Sequence, residues 1–375
     1  MMARKGRWQD ARAANDANEL RMNLKNRMSR WGFLAAMAVG GWCVLSPLAP
    51  PQDLAPATQS SEKNQASCES QHRDYTLLFV GDVMLSRAVG SHMEAQKDWS
   101  LPFRLITDTL RTADLRYCNL ECPVSDRGHN LHHLYSFRAD PRAIDGLKTA
   151  GFNVASQANN HAYDWGPEAL LDSLDRLRAA GIRPVGAGHN ILAAHYPLLV
   201  QVGDLRIAFL AYVSIAPKEA TAGADRPGVA WLDPAQALAD IRFARPMADL
   251  VIVCPHWGVE YALKPSRDQV DLAHQMIDAG ADMIAGSHPH VVQPVEKYHD
   301  HWIAYSLGNF IFDQQNPNTH RGLMLKATVR GRHIVDVAPI PISINSQFQA
   351  AVTPATDHPQ KPLLAERKIV LNSAR

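Results

Sequence analysis

The sequence predicts an α/β protein: a largely parallel β-sheet with helices outside it, followed by an antiparallel β region. Three observations predict it. Short apolar runs alternate with helical patterns between Tyr75 and His290, the rhythm of βα units. After His290 the pattern changes to β segments joined by short turns such as Arg330-Gly331-Arg332, as antiparallel pairing requires. Five of the apolar runs also end in a side chain able to bind a metal or to present an amide.

In order, TLLFVGD (76–82) precedes a helical stretch at 102–113, ADLRYCNLE (113–121) precedes 141–150, and FNVASQANN (152–160) precedes 167–180. LRIAFLAYV (205–213) precedes a helix around 234–245, DLVIVCPHWG (249–258) one around 268–279, and ADMIAGSHPH (281–290) closes the series. The segments VVQPVEKYH, HWIAYSLGNFIF, GLMLKATVRG and RHIVDVAPI then read as antiparallel strands in the same or a stacked sheet. The folded part is expected over 75–345. Residues 346–375, polar and proline-rich, are expected as a loosely attached C-terminal tail.

The N-terminus has a different composition. Arg4, Lys5, Arg7, Arg12, Arg21, Lys25, Arg27 and Arg30 outnumber Asp10, Asp16 and Glu19, and no charge occurs from Trp31 to Gln52. A bilayer core needs roughly 20 apolar residues in a helix, so 31–49 is expected as a membrane anchor. Residues 1–30 are then a basic segment kept in the cytoplasm, and the bulk of the chain is extracytoplasmic. A cleaved signal peptide and a buried core helix are the alternatives. Cys43 follows Trp42 where lipoprotein processing wants a small residue, which argues against a lipid anchor. Residues 50–74, rich in Pro, Ser, Gln and Ala, read as a flexible linker. Five cysteines imply no disulfide framework. A net charge of +1 over 375 residues gives no global reason to expect nucleic acid, so attraction for an anionic substrate has to come from a local site.

The strand ends carry Gly81-Asp82, Asn119-Leu120-Glu121, Asn159-Asn160-His161, His256-Trp257-Gly258 and His288-Pro289-His290. Carboxyl ends of parallel strands face one crevice, where ligands bind. Each motif has a structural alternative. Gly81-Asp82 and Asn160-His161 also read as turn pairs, Glu121 as a partner of Arg116, and His256 as a satisfied core histidine. Only His288-Pro289-His290 outweighs its alternative singly, because the proline stiffens a loop bearing two imidazoles. Five coincidences at five strand ends are harder to accept than one shared metal site.

At these residues the chain resembles the CapA family of poly-gamma-glutamate capsule-synthesis proteins. The resemblance rests on GDVMLSR (81–87), CNLECPV (118–124), ANNHAYDWG (158–166), HWGVEY (256–261), GSHPHVVQ (286–293) and YSLGNFIFDQ (305–314). It covers about residues 75–345 and implies a calcineurin-like metallophosphoesterase fold, a four-layer α-β-β-α stack of two sheets flanked by helices. It further implies two divalent metal ions. Asp82 and His290 would serve the first, with Glu121 as the bridging carboxylate, and Asn160, His256 and His288 the second. His161 would be the catalytic acid or transition-state donor. One departure stands out: the superfamily's Asp-x-His is Asp82-Val83-Met84 here, and a thioether is a poor ligand for a hard cation.

Two carboxylates leave two divalent cations with a surplus of about +2, which attracts phosphate and acidifies a bridging water. The His-rich donor set suits Mn, Fe or Zn. Arg87 and Arg138 are candidate clamps for an anionic substrate, with solvated surface roles as the alternative. Asp164 is a candidate partner of His161, although capping of the next helix competes. Glu260 and Asn309 are candidates for the rim, with polar roles at the core edge as the alternative, and His129, His132 and His133 are placed in an exposed loop. Together these readings point to a membrane-anchored divalent-metal hydrolase acting on a phosphoester or an anionic envelope polymer, beside capsule-synthesis subunits. The alternative is a non-catalytic polyanion-binding subunit of a capsule synthesis or export complex.

Overall fold

The structure is a computed structural model that describes residues 73–354 and 364–366. Its strands begin with β1 (Tyr75–Val83), β2 (Leu115–Leu120), β3 (Val154–Ser156), β4 (Arg183–Val185) and β5 (Ala187–Gly188). Next come β6 (Leu198–Val202), β7 (Leu205–Val213), β8 (Gly228–Val229), β9 (Leu250–His256) and β10 (Met283–Ala285). Then β11 (Val295–Tyr298), β12 (His301–Ala304), β13 (Asn309–Ile311), β14 (Arg321–Arg330), β15 (His333–Ile344), β16 (Ala350–Val352) and β17 (Leu364–Glu366) follow. The α-helices are α1 (Arg87–Gln96), α2 (Thr107–Arg111), α3 (Ala143–Ala150), α4 (Gly166–Ala179), α5 (Ile191–His195), α6 (Pro234–Ala244) and α7 (Arg267–Asp278).

The strands form two large sheets. The first has the order β16-β15-β14-β1-β2-β3-β4, with β13 added beside β1. Within it β1 to β4 run parallel and β14 to β16 antiparallel. The second has the order β17-β11-β12-β10-β9-β7-β6, with β7, β9, β10 and β12 parallel. β5 and β8 form a separate two-stranded ladder.

Strand parity decides which side chains meet. Leu77 and Phe79 of β1, Leu115 and Tyr117 of β2, Ile207 and Phe209 of β7, and Leu250, Ile252 and Cys254 of β9 share one core between the sheets. Tyr117 and Phe209 stack there with ring centroids 6.0 Å apart, so Phe209→Ala is expected to cost about 3–5 kcal/mol. The opposite parity faces the helices. Leu78, Val80 and Cys118 pack with Val89 and Met93 of α1 and Leu147 of α3, while Leu210, Val251 and Val253 pack with Ile241 of α6 and Met276 of α7. The result is the four-layer α-β-β-α stack that the family resemblance implies.

The local signals behind these elements are ordinary ones. Asp233 caps α6 by accepting the Gln236 N–H, with Pro234 in the first turn, and Ser266 and Gln269 form a capping box on α7. Gly81 is required by contact. A Cβ there would stand 1.8 Å from the Gly308 carbonyl oxygen, which accepts the Asp82 N–H at 3.0 Å.

The expected elements recur with differences that have physical causes. The region after His290 does not form one antiparallel block. Its β11–β12 hairpin joins the second sheet, β14–β16 join the first, and β13 lies parallel to β1. α1 has no counterpart in the sequence reading, because only Val89 and Met93 of its ten residues are buried. The stretch 102–113 holds only the short α2 after a 3-10 turn at Leu101–Phe103. Beyond Asn345, where a tail was expected, β16 pairs with β15 and β17 with β11. Among the described residues no helix is long and apolar enough to cross a membrane. The segment 31–49 and nearly all of the linker lie outside them.

Candidate metal centre

The crevice lies at the carboxyl ends of β1, β2, β3, β9 and β10, where the core between the sheets turns polar. On β2 the series Leu115, Tyr117 continues to Asn119 and Glu121, and on β9 Leu250, Ile252, Cys254 continues to His256. Asp82 is one step out of phase with Leu77 and Phe79. A register irregularity on both sides of it turns it to this side, the re-aiming that bulges provide. Its Cα lies opposite Asn119 on one neighbour and Asn309 on the other.

The side chains converge. Asp82 Oδ1 accepts from Asn119 Nδ2 at 2.8 Å, and its Oδ2 accepts the His288 N–H at 3.3 Å. His290 Nδ1 is 3.3 Å from Asp82 Oδ2, and its Nε2 is 3.7 Å from Glu121 Oε1. His256 Nε2 is 2.7 Å from Asn160 Oδ1, and the His256 and His288 rings are 4.9 Å apart. Donor atoms that share one cation at ~2.1 Å stand about 3 to 3.5 Å apart, near the 3.7 Å between His290 Nε2 and Glu121 Oε1 and the 2.7 Å between His256 Nε2 and Asn160 Oδ1. Asp82, Glu121 and His290 offer three such atoms within 4.8 Å of one another. Asp82, Glu121, Asn160, His256, His288 and His290 are thus brought to one place. Glu121 makes no pair with Arg116, whose guanidinium binds Asn153 and the Ala113 carbonyl.

Two orphaned atoms test whether a cation fits. Glu121 Oε1 and His288 Nδ1 are buried without a hydrogen-bond partner, a state that costs about 1–3 kcal/mol per group. A cation supplies what both lack. Burial and the Asp82 carboxylate push Glu121 well above the usual carboxylate range, which positive charge would reverse. Burial, then the His288 and His290 rings, push His256 well below its ordinary value, and burial and His290 push His288 down to about 3. Both rings are therefore neutral near neutrality, the form that ligates metal.

Side chains behind the donors fix their orientation. His290 Nδ1 faces Asn309 Oδ1 at 2.9 Å, and Asn309 Nδ2 is spent on Gln314 Oε1 and the Thr319 carbonyl. The ring must therefore donate from Nδ1, leaving the Nε2 lone pair toward Glu121. Asn119 touches both sides of the crevice, since its Nδ2 also lies 3.2 Å from His256 Nδ1.

His161 stands beside this group, its Nε2 3.9 Å from Glu121 Oε1. Its Nδ1 meets Asp164 Oδ2 at 2.8 Å, and the Phe137 ring stacks on it at 3.9 Å. Asp164 is buried and takes no part in capping α4, whose N-cap is Trp165. His133 is not the free surface residue expected. Its Nδ1 is 3.2 Å from Asp164 Oδ1, a pairing across 31 positions that local polarity does not reveal.

The two arginines are engaged. Arg87, at φ 50°, forms an ion pair with Asp313 and lies over Phe137 at 4.5 Å, on the rim beside His161. Arg138 lies over Trp165 at 3.5 Å and donates to the Arg127 carbonyl at 3.1 Å. Met84 turns into the core under α1, where its Sδ accepts the Ser86 N–H at 3.1 Å.

Residues 76–314 match the family described as bacterial capsule synthesis protein PGA_cap. The capsule biosynthesis protein CapA of Bacillus anthracis is 33% identical over 79% of this chain and 74% of its own. The PGA biosynthesis protein CapA of Bacillus subtilis (strain 168) is 35% identical over 70% of each. Among solved structures, a hypothetical protein from Thermus thermophilus aligns with a TM-score of 0.45 at 17% identity, over 71% of this chain and 98% of that one. The NAD nucleotidase of Haemophilus influenzae gives 0.42 at 11% identity, over 76% and 54%. The converging motifs and the extent of the sequence matches lead to one statement: this chain belongs to the bacterial capsule synthesis PGA_cap family.

Proposed function

We propose that this member of the family is a divalent-metal hydrolase acting on an anionic envelope polymer or a phosphoester, held at the outer face of the membrane by residues 31–49. The observation that carries the reading is the pair of orphaned buried atoms, Glu121 Oε1 and His288 Nδ1, among oxygen and imidazole donors from separate strand ends. Asp82, Glu121 and His290 would hold one cation, and Asn160, His256 and His288 a second. Such cations, Mn, Fe or Zn by their donors, supply Lewis acidity that orients water and offsets developing negative charge.

The protein's own groups do the rest. With Nδ1–H given to Asp164, His161 presents Nε2 to the crevice, where it exchanges a proton with the leaving oxygen of the substrate. Phe137 holds the ring plane by stacking and gives its N–H to Asp164 Oδ2 at 2.8 Å. Arg87 adds positive charge at the rim.

One observation favours a second reading, a polyanion-binding subunit without turnover: Met84, packed in the helix-side core, stands where the superfamily has a further donor. Metal content and hydrolysis of p-nitrophenyl phosphate and its bis-ester by the full chain separate the two. About two metals per chain with turnover is the expected result. Bound metal without turnover selects the binding subunit, and metal near zero that His288→Ala leaves unchanged ends both.

A further inference from the structure

The loop after β9 carries a carboxylate that the sequence reading placed only at the rim. Trp257 anchors the loop, buried and donating its indole N–H to the Tyr305 carbonyl at 3.0 Å. Four residues on, the Tyr261 N–H donates to the Pro289 carbonyl at 2.8 Å. That bond clamps the loop onto the His288-Pro289-His290 turn, with Glu260 between anchor and clamp.

Three side chains then meet. A Glu260 carboxylate oxygen and one ring nitrogen each of His288 and His290 lie within 4.8 Å of one another. The backbone holding them is strained. Tyr261, His288 and His290 sit at φ 63°, 100° and 59°, a region that side-chain-bearing residues rarely adopt and that costs about 1–3 kcal/mol each where it persists. His288 Nδ1 is buried without a partner. Glu260 itself is exposed, and a surface glutamate needs neither the clamp nor the strained turns around it.

We propose that Glu260 is a metal ligand of this centre, joining His288 and His290 from the solvent side. Two imidazoles and one carboxylate form a donor set suited to Mn, Fe or Zn. The inference rests on the metal-dependent reading above and adds a residue to it. It also makes the centre partly open, with one ligand on a loop and the others on strand ends or the His-Pro-His turn.

The test measures metal rather than turnover. Full-length wild type and Glu260→Gln are dialysed to equilibrium against Mn²⁺ or Zn²⁺ and assayed by elemental analysis, with His288→Ala as a reference for a lost ligand. Glu260 is exposed, so Glu260→Gln should leave the far-ultraviolet circular dichroism unchanged. The expected result is loss of one metal equivalent, or affinity lower by at least about tenfold, the lower bound for losing even an outer partner of a metal site. The visible spectrum of the Co²⁺ form should also change in Glu260→Gln and return toward wild type in Glu260→Asp. Metal content and Co²⁺ spectrum equal to wild type overturn the assignment of Glu260 and leave the metal centre standing. A wild type that binds no metal overturns both.

Discussion

The two sheets bring different chemistry to the crevice. The first supplies oxygen: the carboxylates of Asp82 and Glu121, the Asn160 amide, and behind them Asn119 and Asn309. The second supplies nitrogen through His256, His288 and His290. Burial and then the Asp82 carboxylate push protonation of Glu121 up on the oxygen side, and burial on the nitrogen side pushes protonation of His256 and His288 down. Each side is left with buried lone pairs that the other cannot satisfy, as the orphaned Glu121 Oε1 and His288 Nδ1 show. The lesson is that folding alone joins these strand ends incompletely, and under the function proposed above a cation would complete the join.

The largest expected effect comes from taking that join away. Chelation should destabilise the wild type by about 4 kcal/mol if metal was present at roughly 1,000 times its dissociation constant. For a domain of this size that is on the order of 10 °C in Tm, read by thermal unfolding with and without EDTA and restored by Mn²⁺. Asp82→Ala on the oxygen side and His288→Ala on the nitrogen side should each remove about half of the response to chelator. An unmoved wild-type Tm would break the comparison outright.

His161 is the exception that sharpens it, an imidazole on the oxygen side. Its Nδ1 is committed to Asp164, so the role proposed for it is proton exchange and not ligation. Asp164→Asn should lower kcat at least about a hundredfold, the usual scale for general acid–base groups, with metal content unchanged. Equal loss of metal and rate would place His161 among the ligands instead.

How much of this was legible in the sequence follows from geometry. Asn119, Glu121 and His256 could be placed because each ends an apolar run, and strand parity carries the face of Leu115 or Leu250 straight to them. Asp82 lies off that parity and reaches the crevice through a bulge, which its residue type alone does not announce. Asn119 was visible as part of a motif but not as a junction, because its contacts to Asp82 and His256 span 37 and 137 positions. The same holds for His133 on Asp164 and for Asp313 on Arg87. Local periodicity reports faces and ends. It does not report which distant polar group waits there.

Asn119 gives the next smaller effect. It is the side chain that bonds both Asp82 and His256, and it accepts from Asn159 Nδ2 at 3.3 Å. Asn119→Ala strands buried partners on both sides and should cost about 2 kcal/mol in chelator, measured by urea unfolding. A change under about 0.5 kcal/mol would mean that the metal-free sheets hold together at this end without it.

The smallest expected effect separates the two sides most finely. His256 Nδ1 has two neighbours: Ser287 Oγ at 3.0 Å on its own sheet and Asn119 Nδ2 at 3.2 Å on the other. The hydroxyl can accept a proton from the ring, whereas the amide nitrogen can only donate. With Ser287 present the ring can carry its proton on Nδ1 and leave Nε2 free for a cation. In Ser287→Ala only the donor remains, so Nδ1 accepts and the proton is fixed on Nε2, against Asn160 Oδ1 at 2.7 Å. Metal affinity should fall by about tenfold, while the chelated protein stays within about 1 kcal/mol of wild type, because it loses one hydrogen bond and keeps the Nε2 contact to Asn160 already present at 2.7 Å. Isothermal titration with Zn²⁺ beside urea unfolding in EDTA reads both quantities. Equal losses in the two would mean that Ser287 merely fills space, and a loss confined to metal binding would show the tautomer of one buried ring deciding whether the two sheets meet through a proton or through a cation.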